Sequence, residues 1–360
     1  MARLFKGLAF TLSAALIFAA GTASAQFYKG KRLTVIINYG AGGPTDVEGR
    51  LLAKHLARNI PGQPTVIVKN RPGAGGIVGS NFMAEVAKPD GMTIAIFTPP
   101  TMSQLLGDPG LRADFSSFEW LAGVGQPQVC YLRKDAGGGI KGPTDLGSIK
   151  GFKAAGMRNT SSHDLRLRLA LDLLGADYKY VTGYRGLSKV AAGVLQNETQ
   201  FSCGSVPNFR GRVEPTMVKP GIATTTYYYA PVDSSGKDVK FADLASIPTF
   251  QEFYTKVRGG TPSGIKWDAL KVVNNLSTYM LRGSFAPKGT PAAALADLRA
   301  AWSKLPNDAA FVAEYSKAFK APPKIVTAAV AKAHIDSIKS TDPKIVAFLK
   351  GFAGTGKKKK

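Results

Sequence analysis

Three short segments concentrate glycine, hydroxyl and amide groups in a pattern suited to holding an anion. The first, Gly40-Ala41-Gly42-Gly43, lacks the side chains that would keep a ligand away from backbone N–H groups, and it opens into a helix read from Thr45. The positive end of that helix dipole points at the same spot, which suits a carboxylate. Asn159-Thr160-Ser161-Ser162-His163 forms the second segment, with Ser161 and Asp164 at helix-capping spacing and further hydroxyls free to donate. Thr182-Gly183-Tyr184-Arg185-Gly186, the third, offers a hydroxyl, an aromatic face and a guanidinium that can grip a carboxylate with two parallel hydrogen bonds.

Plainer readings stand beside these. A glycine-rich turn between strand and helix is often only a tight turn, and Asp46 and Arg50, four apart on one helix face, read first as partners of each other. His163 reads as a solvated first-turn residue, and His55 and His334 as helix-surface residues. Nucleotide motifs fail on inspection: Gly40-x-Gly42 and Gly73-x-Gly75 lack the third glycine of a dinucleotide fingerprint, and no Walker-type Gly-Lys-Ser/Thr is present. No Gly-x-Ser-x-Gly elbow occurs, and no histidine lies near Cys130 or Cys203 in the sequence to activate them. Two cysteines and three histidines with no metal-type spacing give no expectation of a metal or cofactor, and the chain does not read as an enzyme.

The elements that must position these loops alternate. Leu33 to Tyr39 is a β-branched apolar run of buried-strand type, followed by a helix from about Thr45 to Asn59 in which Thr45 and Glu48 form a capping-box pattern and Val47, Leu51, Leu52, Leu56 and Ile60 share a face. Strands at Thr65–Val68 and Thr93–Phe97 follow, the latter ending at Thr98-Pro99-Pro100-Thr101. The pattern restarts with strands at Gln128–Leu132, Phe152–Met157, Tyr178–Thr182 and Thr199–Cys203, separated by helices. This is an α/β chain with largely parallel sheets, and two consecutive units of this kind imply two lobes with a cleft between them. In such sheets, ligands bind beyond the carboxyl ends of the strands, where all three loops fall. The reading divides the chain into residues 1–25, a first part of lobe 1 at 26–125, lobe 2 at 126–223, a mainly helical return that completes lobe 1 at 224–352, and a basic disordered tail at 353–360.

Charge and targeting narrow the function. Across 360 residues, 47 Lys and Arg stand against 24 Asp and Glu, a net charge of +23, while 44% hydrophobic content excludes a disordered polyelectrolyte. Arg3 and Lys6, an apolar run from about Leu8 to Ala20 and the small-residue sequence Ala23-Ser24-Ala25 follow the plan of a secretory signal peptide cleaved before Gln26. An uncleaved membrane anchor is the alternative, but the apolar run is short for a span. Cleavage removes two cations and no acid, so the basic excess survives it. An exported chain does not meet genomic nucleic acid, so no nucleic-acid partner is expected, and its two cysteines read either as a disulfide between strands of lobe 2 or as two buried thiols.

Ile37 to Asp46 with Arg50, then Asn70-Arg71-Pro72-Gly73-Ala74-Gly75-Gly76, Lys88-Pro89-Asp90-Gly91, Tyr180 to Gly186, Ile247 to Glu252 and Ala286 to Pro291, in this order, resemble the receptors of tripartite tricarboxylate transporters, also called Bug-type extracytoplasmic solute receptors. The resemblance spans nearly the whole mature chain. It implies a two-lobed type II periplasmic-binding-protein fold that closes on a small organic carboxylate and delivers it, as a monomer in the periplasm, to the large and small membrane permease subunits. Through it, Tyr39, Ala41, Gly42, Gly43 and Asp46, together with Ser161, Ser162 and His163, become the carboxylate loops, while Thr98, Thr101, Thr182, Tyr184 and Arg185 shape the rest of the pocket. Thr182-Gly183-Tyr184 departs from the Val-Pro-Tyr common in the family. The alternatives are a periplasmic ligand sensor signalling to a sensor kinase and, more remotely, an enzyme on the same two lobes.

Overall fold

The computed structural model describes residues 27–233 and 235–354; the expected signal peptide and the Lys357–Lys360 run lie outside the described residues. The first lobe starts with β1 (Arg32–Ile37), α1 (Pro44–Asn59), β2 (Thr65–Asn70), α2 (Ile77–Glu85), β3 (Thr93–Phe97), the short α3 (Thr101–Leu106) and β4 (Glu119–Val124). The chain then builds the second lobe from β5 (Gln128–Arg133), β6 (Phe152–Ala155), α4 (Ser162–Leu173), β7 (Tyr178–Val181), α5 (Leu187–Leu195), β8 (Phe201–Ser205), β9 (Ala223–Tyr228), α6 (Phe250–Arg258) and α7 (Ile265–Thr278). It returns through β10 (Arg282–Ala286), α8 (Ala292–Lys304), α9 (Ala309–Phe319), β11 (Ile325–Thr327), α10 (Ala328–Asp336) and α11 (Pro343–Phe352).

Two mixed sheets result, ordered β11-β4-β10-β3-β1-β2 and β7-β6-β8-β5-β9. Pairing is parallel where strand–helix–strand crossovers build the sheet, at β2-β1-β3 and β7-β6-β8. It is antiparallel around β10, β11 and β5. The parallel character expected from the sequence is therefore confined to one half of each sheet. Cys130 on β5 lies opposite Cys203 on β8 in the antiparallel register, and the two are joined by a disulfide.

Several features differ from the sequence reading. The expected lobe boundary at residue 223 falls at the start of β9, which pairs with β5, so the second lobe continues through α6 and α7, and the return crossing is Tyr279-Met280-Leu281. Thr45 and Glu48 form no capping box. Helix α1 begins at Pro44 with Gly43 as its uncapped N-terminal neighbour, and Glu48 turns inward to meet Tyr315 and Arg282. The same rotation leaves Val47 exposed, while Leu52 and Leu56 sink against β1 and β3, each burial contributing about 1.5–3 kcal/mol. It also buries His55, whose Nε2 lies 2.8 Å from Glu314 Oε2, in place of the surface position expected. Ala353, expected in the tail, is instead buried and its carbonyl accepts from Asn159.

The lobes meet at two adjacent crossings. Gly125-Gln126-Pro127 links β4 to β5, and Gln126 N donates to Thr278 O (2.8 Å) beside the return crossing. One hydrophobic cluster runs through α7, α10 and α11 and joins Phe97 and Trp120 of the first lobe to Leu165 and Phe201 of the second.

Candidate functional site

Between the lobes lies a cavity of about 190 Å³, lined from the first lobe by Tyr39, Thr45 and the Thr98–Ser103 segment, and from the second by Gln128, Arg158 and the Thr160–His163 segment, with Arg166 and Arg282 among its walls. Among the described residues its lining holds three arginines and no Asp or Glu. A wider groove of about 680 Å³ between α3 and α11 is different in charge: Asp114 there is taken by Lys339 (3.0 Å), and Arg112 by Glu85 (2.6 Å). Paired charges leave that groove little to offer an anion.

On the first-lobe wall, the glycine loop is organised from behind. Asp46 is buried, accepts from Gly42 N (2.9 Å) and Asn70 Nδ2 (2.8 Å), and pairs with Arg50 (2.9 Å). Burial pushes its carboxyl up, but the hydrogen bonds from Arg50, Asn70 and Gly42 outweigh that and hold it below its ordinary range. Asp46 thus fixes the loop, and the Gly42 amide is spent on it. The Gly43 amide faces Gly40 O (3.4 Å). Ala41, Gly42, Gly43 and Asp46 therefore stand off the cavity, which this segment reaches through Tyr39, Pro44 and Thr45. The next loop is clamped by Asn38, whose side chain donates to Thr98 O (2.9 Å) and accepts from Thr98 N (3.1 Å). Thr98 Oγ1 in turn meets Thr45 Oγ1 (3.0 Å) and accepts from Arg282 Nη1 (2.7 Å). Thr101 also lines the cavity.

The second-lobe wall is the N-terminus of α4. Ser161 caps it by accepting from Asp164 N (3.2 Å), as its sequence spacing predicts. The amides of Ser162 and His163 carry no hydrogen bond among the described residues, so they remain available donors at a positive helix end. His163 is buried rather than solvated, because its ring passes beneath the loop to Gln128 Oε1 (3.1 Å), and burial holds its pKa below the ordinary value despite the nearby Asp164. The third predicted loop reaches the cavity only through Gly186, and Thr182, Tyr184 and Arg185 do not line it. Tyr184 instead packs against Gly193 and donates to Glu198 Oε2 (2.8 Å), and Thr182 and Arg185 are exposed.

Arg158, Arg166 and Arg282 line the cavity and are the cations that the sequence reading did not place there. Arg282 is buried and pairs with Glu48 (2.9 Å). Arg158 reaches across the cleft, its guanidinium lying against Gly75 of the opposite lobe closely enough that a Cβ there would sit 3.1 Å from it. Arg166 had one legible signal: Ser162, Arg166 and Ala170 form a four-residue column on a helix that buries its apolar faces. Chemically, the arrangement offers helix-end amides, hydroxyls and cations to an anion. Both cysteines are bonded to each other, and the His163 ring faces the Gln128 amide oxygen. No group of three His, Cys, Asp or Glu among the described residues is placed to hold a metal.

Residues 49–109, from within α1 to just beyond α3, match the family described as the tripartite tricarboxylate transporter family receptor. Over that stretch the chain is similar to this receptor family. Two members of the UPF0065 group align with it. One, from the gbd 5' region of Cupriavidus necator, is 44% identical over 90 residues, which are 24% of this chain and 27% of the relative. The other, from the ttuE–ttuC' intergenic region of Agrobacterium vitis, is 28% identical over 234 residues, 62% of each. The aligned stretches thus span less than two thirds of either relative. Among solved structures, a TctC solute binding protein from Polaromonas superposes with a TM-score of 0.62 at 20% identity, covering 91% of this chain and 100% of that one. MatC from Rhodopseudomonas palustris with bound malate gives 0.61 at 19%, covering 88% and 99%. A second Rhodopseudomonas palustris protein, with adipate, gives 0.64 at 16%, covering 90% and 97%. At these identities the likeness shows the fold alone. The match of the receptor family to α1, β2, β3 and α3 falls on the elements that build one wall of the cleft. Among the described residues no helix is long and apolar enough to cross a membrane.

Proposed function

We propose that the protein is a periplasmic, non-catalytic solute receptor that binds a carboxylate-containing organic anion between its lobes and delivers it to a tripartite tricarboxylate-type permease. The observation that carries this reading is the charge of the cavity: cations and free helix-end amides converge on it, and no acidic residue lines it. Lobe closure excludes water, and in a dry cavity each hydrogen bond to a charged group is worth about 1.5–3 kcal/mol. Malate in MatC and adipate in the second Rhodopseudomonas palustris structure lie in the same kind of fold, which supports a carboxylate as the ligand class. Export by the N-terminal segment and monomeric action complete the proposal.

A thermal-shift screen over mono-, di- and tricarboxylates and aromatic acids tests it. A ligand that binds only the folded state, present at a hundred times its Kd, adds about 2.7 kcal/mol of stability. At least one acid should raise the melting temperature, and the absence of any shift would defeat the receptor reading. Incubation of that acid with the protein should leave it chemically unchanged by NMR; turnover would transfer the site to the enzymes.

A further inference from the structure

Arg166 stands in the second turn of α4, fully buried, on the cavity wall. Its hydrogen bonds all go to neutral acceptors: Nε to Ser162 O (3.3 Å), and Nη1 to Asn274 Oδ1 (3.1 Å) and Thr278 Oγ1 (3.3 Å). Tyr229 lies 5.4 Å from the guanidinium, also without charge. Among the described residues no carboxylate is bonded to or paired with it. Asp164, two positions away, is turned to the other side of the helix, where its oxygens accept from the hydroxyls of Ser161 and Tyr180.

A buried cation without a counter-ion is costly, and a place near the positive end of a helix makes it costlier. Burial lowers the Arg166 pKa to about 10, so the group is charged at neutral pH. Arg282 differs in having Glu48 behind it. Arg158, half-buried at the cleft rim, is paired with no acid among the described residues either. The cavity therefore presents two uncompensated cations in addition to the helix end, more positive charge than one carboxylate neutralises.

We propose that Arg166 forms a second anion subsite on the hinge side of the cleft, and that the ligand is a dianion presenting one acidic group to the Ser162 and His163 amides and the other to Arg166. Its partner Thr278 immediately precedes the return crossing, so charge arriving at Arg166 is felt where the lobes are joined. This inference rests on the carboxylate-receptor reading and narrows its ligand class.

Calorimetric titration at pH 7 with succinate, adipate and the monoanion butanoate, on wild type, Arg166→Gln and Arg166→Lys, tests it. In wild type at least one diacid should bind about 30-fold or more tightly than butanoate, the worth of one hydrogen-bonded charge. Arg166→Gln should collapse that ratio by lowering diacid affinity far more than butanoate affinity, and Arg166→Lys should keep part of it. The ligand-free Arg166→Gln protein should melt no lower than wild type, because the charge it loses is uncompensated. Equal loss of diacid and monoacid binding, or a lower melting temperature, would make Arg166 structural and overturn the subsite. If Arg166→Gln does not fold, that too overturns it. Wild type binding both acid classes equally defeats the subsite alone, whereas wild type binding no carboxylate defeats the receptor reading and the subsite with it.

Discussion

Arg282 Nε lies 2.9 Å from Glu48 Oε2, and both side chains are shut away from solvent inside the first lobe. The pair is the middle of a polar chain: Gln126 at the hinge donates to Tyr315 Oη (2.6 Å), Tyr315 donates to Glu48 Oε1 (2.6 Å), and Arg282 donates to Thr98 in the cleft wall (2.7 Å). Removing one member of a buried ion pair leaves the other unpaired, so Glu48→Gln should destabilise the protein by about 3–5 kcal/mol. Glu48→Gln combined with Arg282→Met should recover part of that loss. Urea unfolding checks both, and a double variant as unstable as the two single losses added would show that the residues do not act as a pair.

The Cys130–Cys203 bond closes a loop spanning 73 positions between two central strands of the second sheet. Cross-links of that span stabilise by about 2–4 kcal/mol, chiefly by restricting the unfolded chain. Replacing both cysteines with alanine should lower the urea midpoint accordingly, and native non-reducing mass spectrometry should show no free thiol. Two free thiols in the purified protein, or an unchanged midpoint in the double variant, would contradict this.

What the sequence disclosed about these sites was local, and what it concealed was long-range. Ser161 reads as a helix cap because its partner Asp164 is three residues on, and the loops after β1, β3 and β6 are recognisable because strand and helix patterns flank them. The glycine loop reads as a ligand loop because nothing in its glycines reveals that Asp46 takes the Gly42 amide; the signal is Asp46 itself, four residues away, which reads first as a partner of Arg50 and, through the family resemblance, as part of the carboxylate loop. Arg282 meets Thr98 across 184 positions, a contact no local pattern encodes. β9 escaped because Ala223-Thr224-Thr225-Thr226-Tyr227-Tyr228 is a threonine and tyrosine run without aliphatic residues, so its place in the second sheet, and with it the lobe boundary, depended on pairing with β5.

Acid should weaken the fold through His163. Burial holds its folded pKa below the ordinary 6.5, so the unfolded chain takes up a proton that the native imidazole refuses. The resulting stability is fully present above about pH 6.5 and is lost as pH falls through the lower folded value. His334, half-buried against the Tyr279 ring, is shifted by burial in the same direction. Urea midpoints should therefore drop between pH 7 and pH 5, and His163→Gln should flatten the profile. A parallel profile in the variant would assign the acid sensitivity elsewhere.

Ser162 is the first residue of α4, lines the cavity and presents one of the two free amides. A glutamate there would set a carboxylate beside the helix end and the Arg158 and Arg166 side, occupying from the protein the position assigned to the ligand. Acidic residues in a first helical turn stabilise by about 0.3–1 kcal/mol, so Ser162→Glu should fold as well as wild type or slightly better. Its carboxylate binding should fall below detection by calorimetry, while Ser162→Gln, similar in size but uncharged, should retain measurable affinity. That contrast separates charge from bulk. If Ser162→Glu bound its ligand as wild type does, the α4 N-terminus would not be the carboxylate site, and the free amides of Ser162 and His163 would need another explanation.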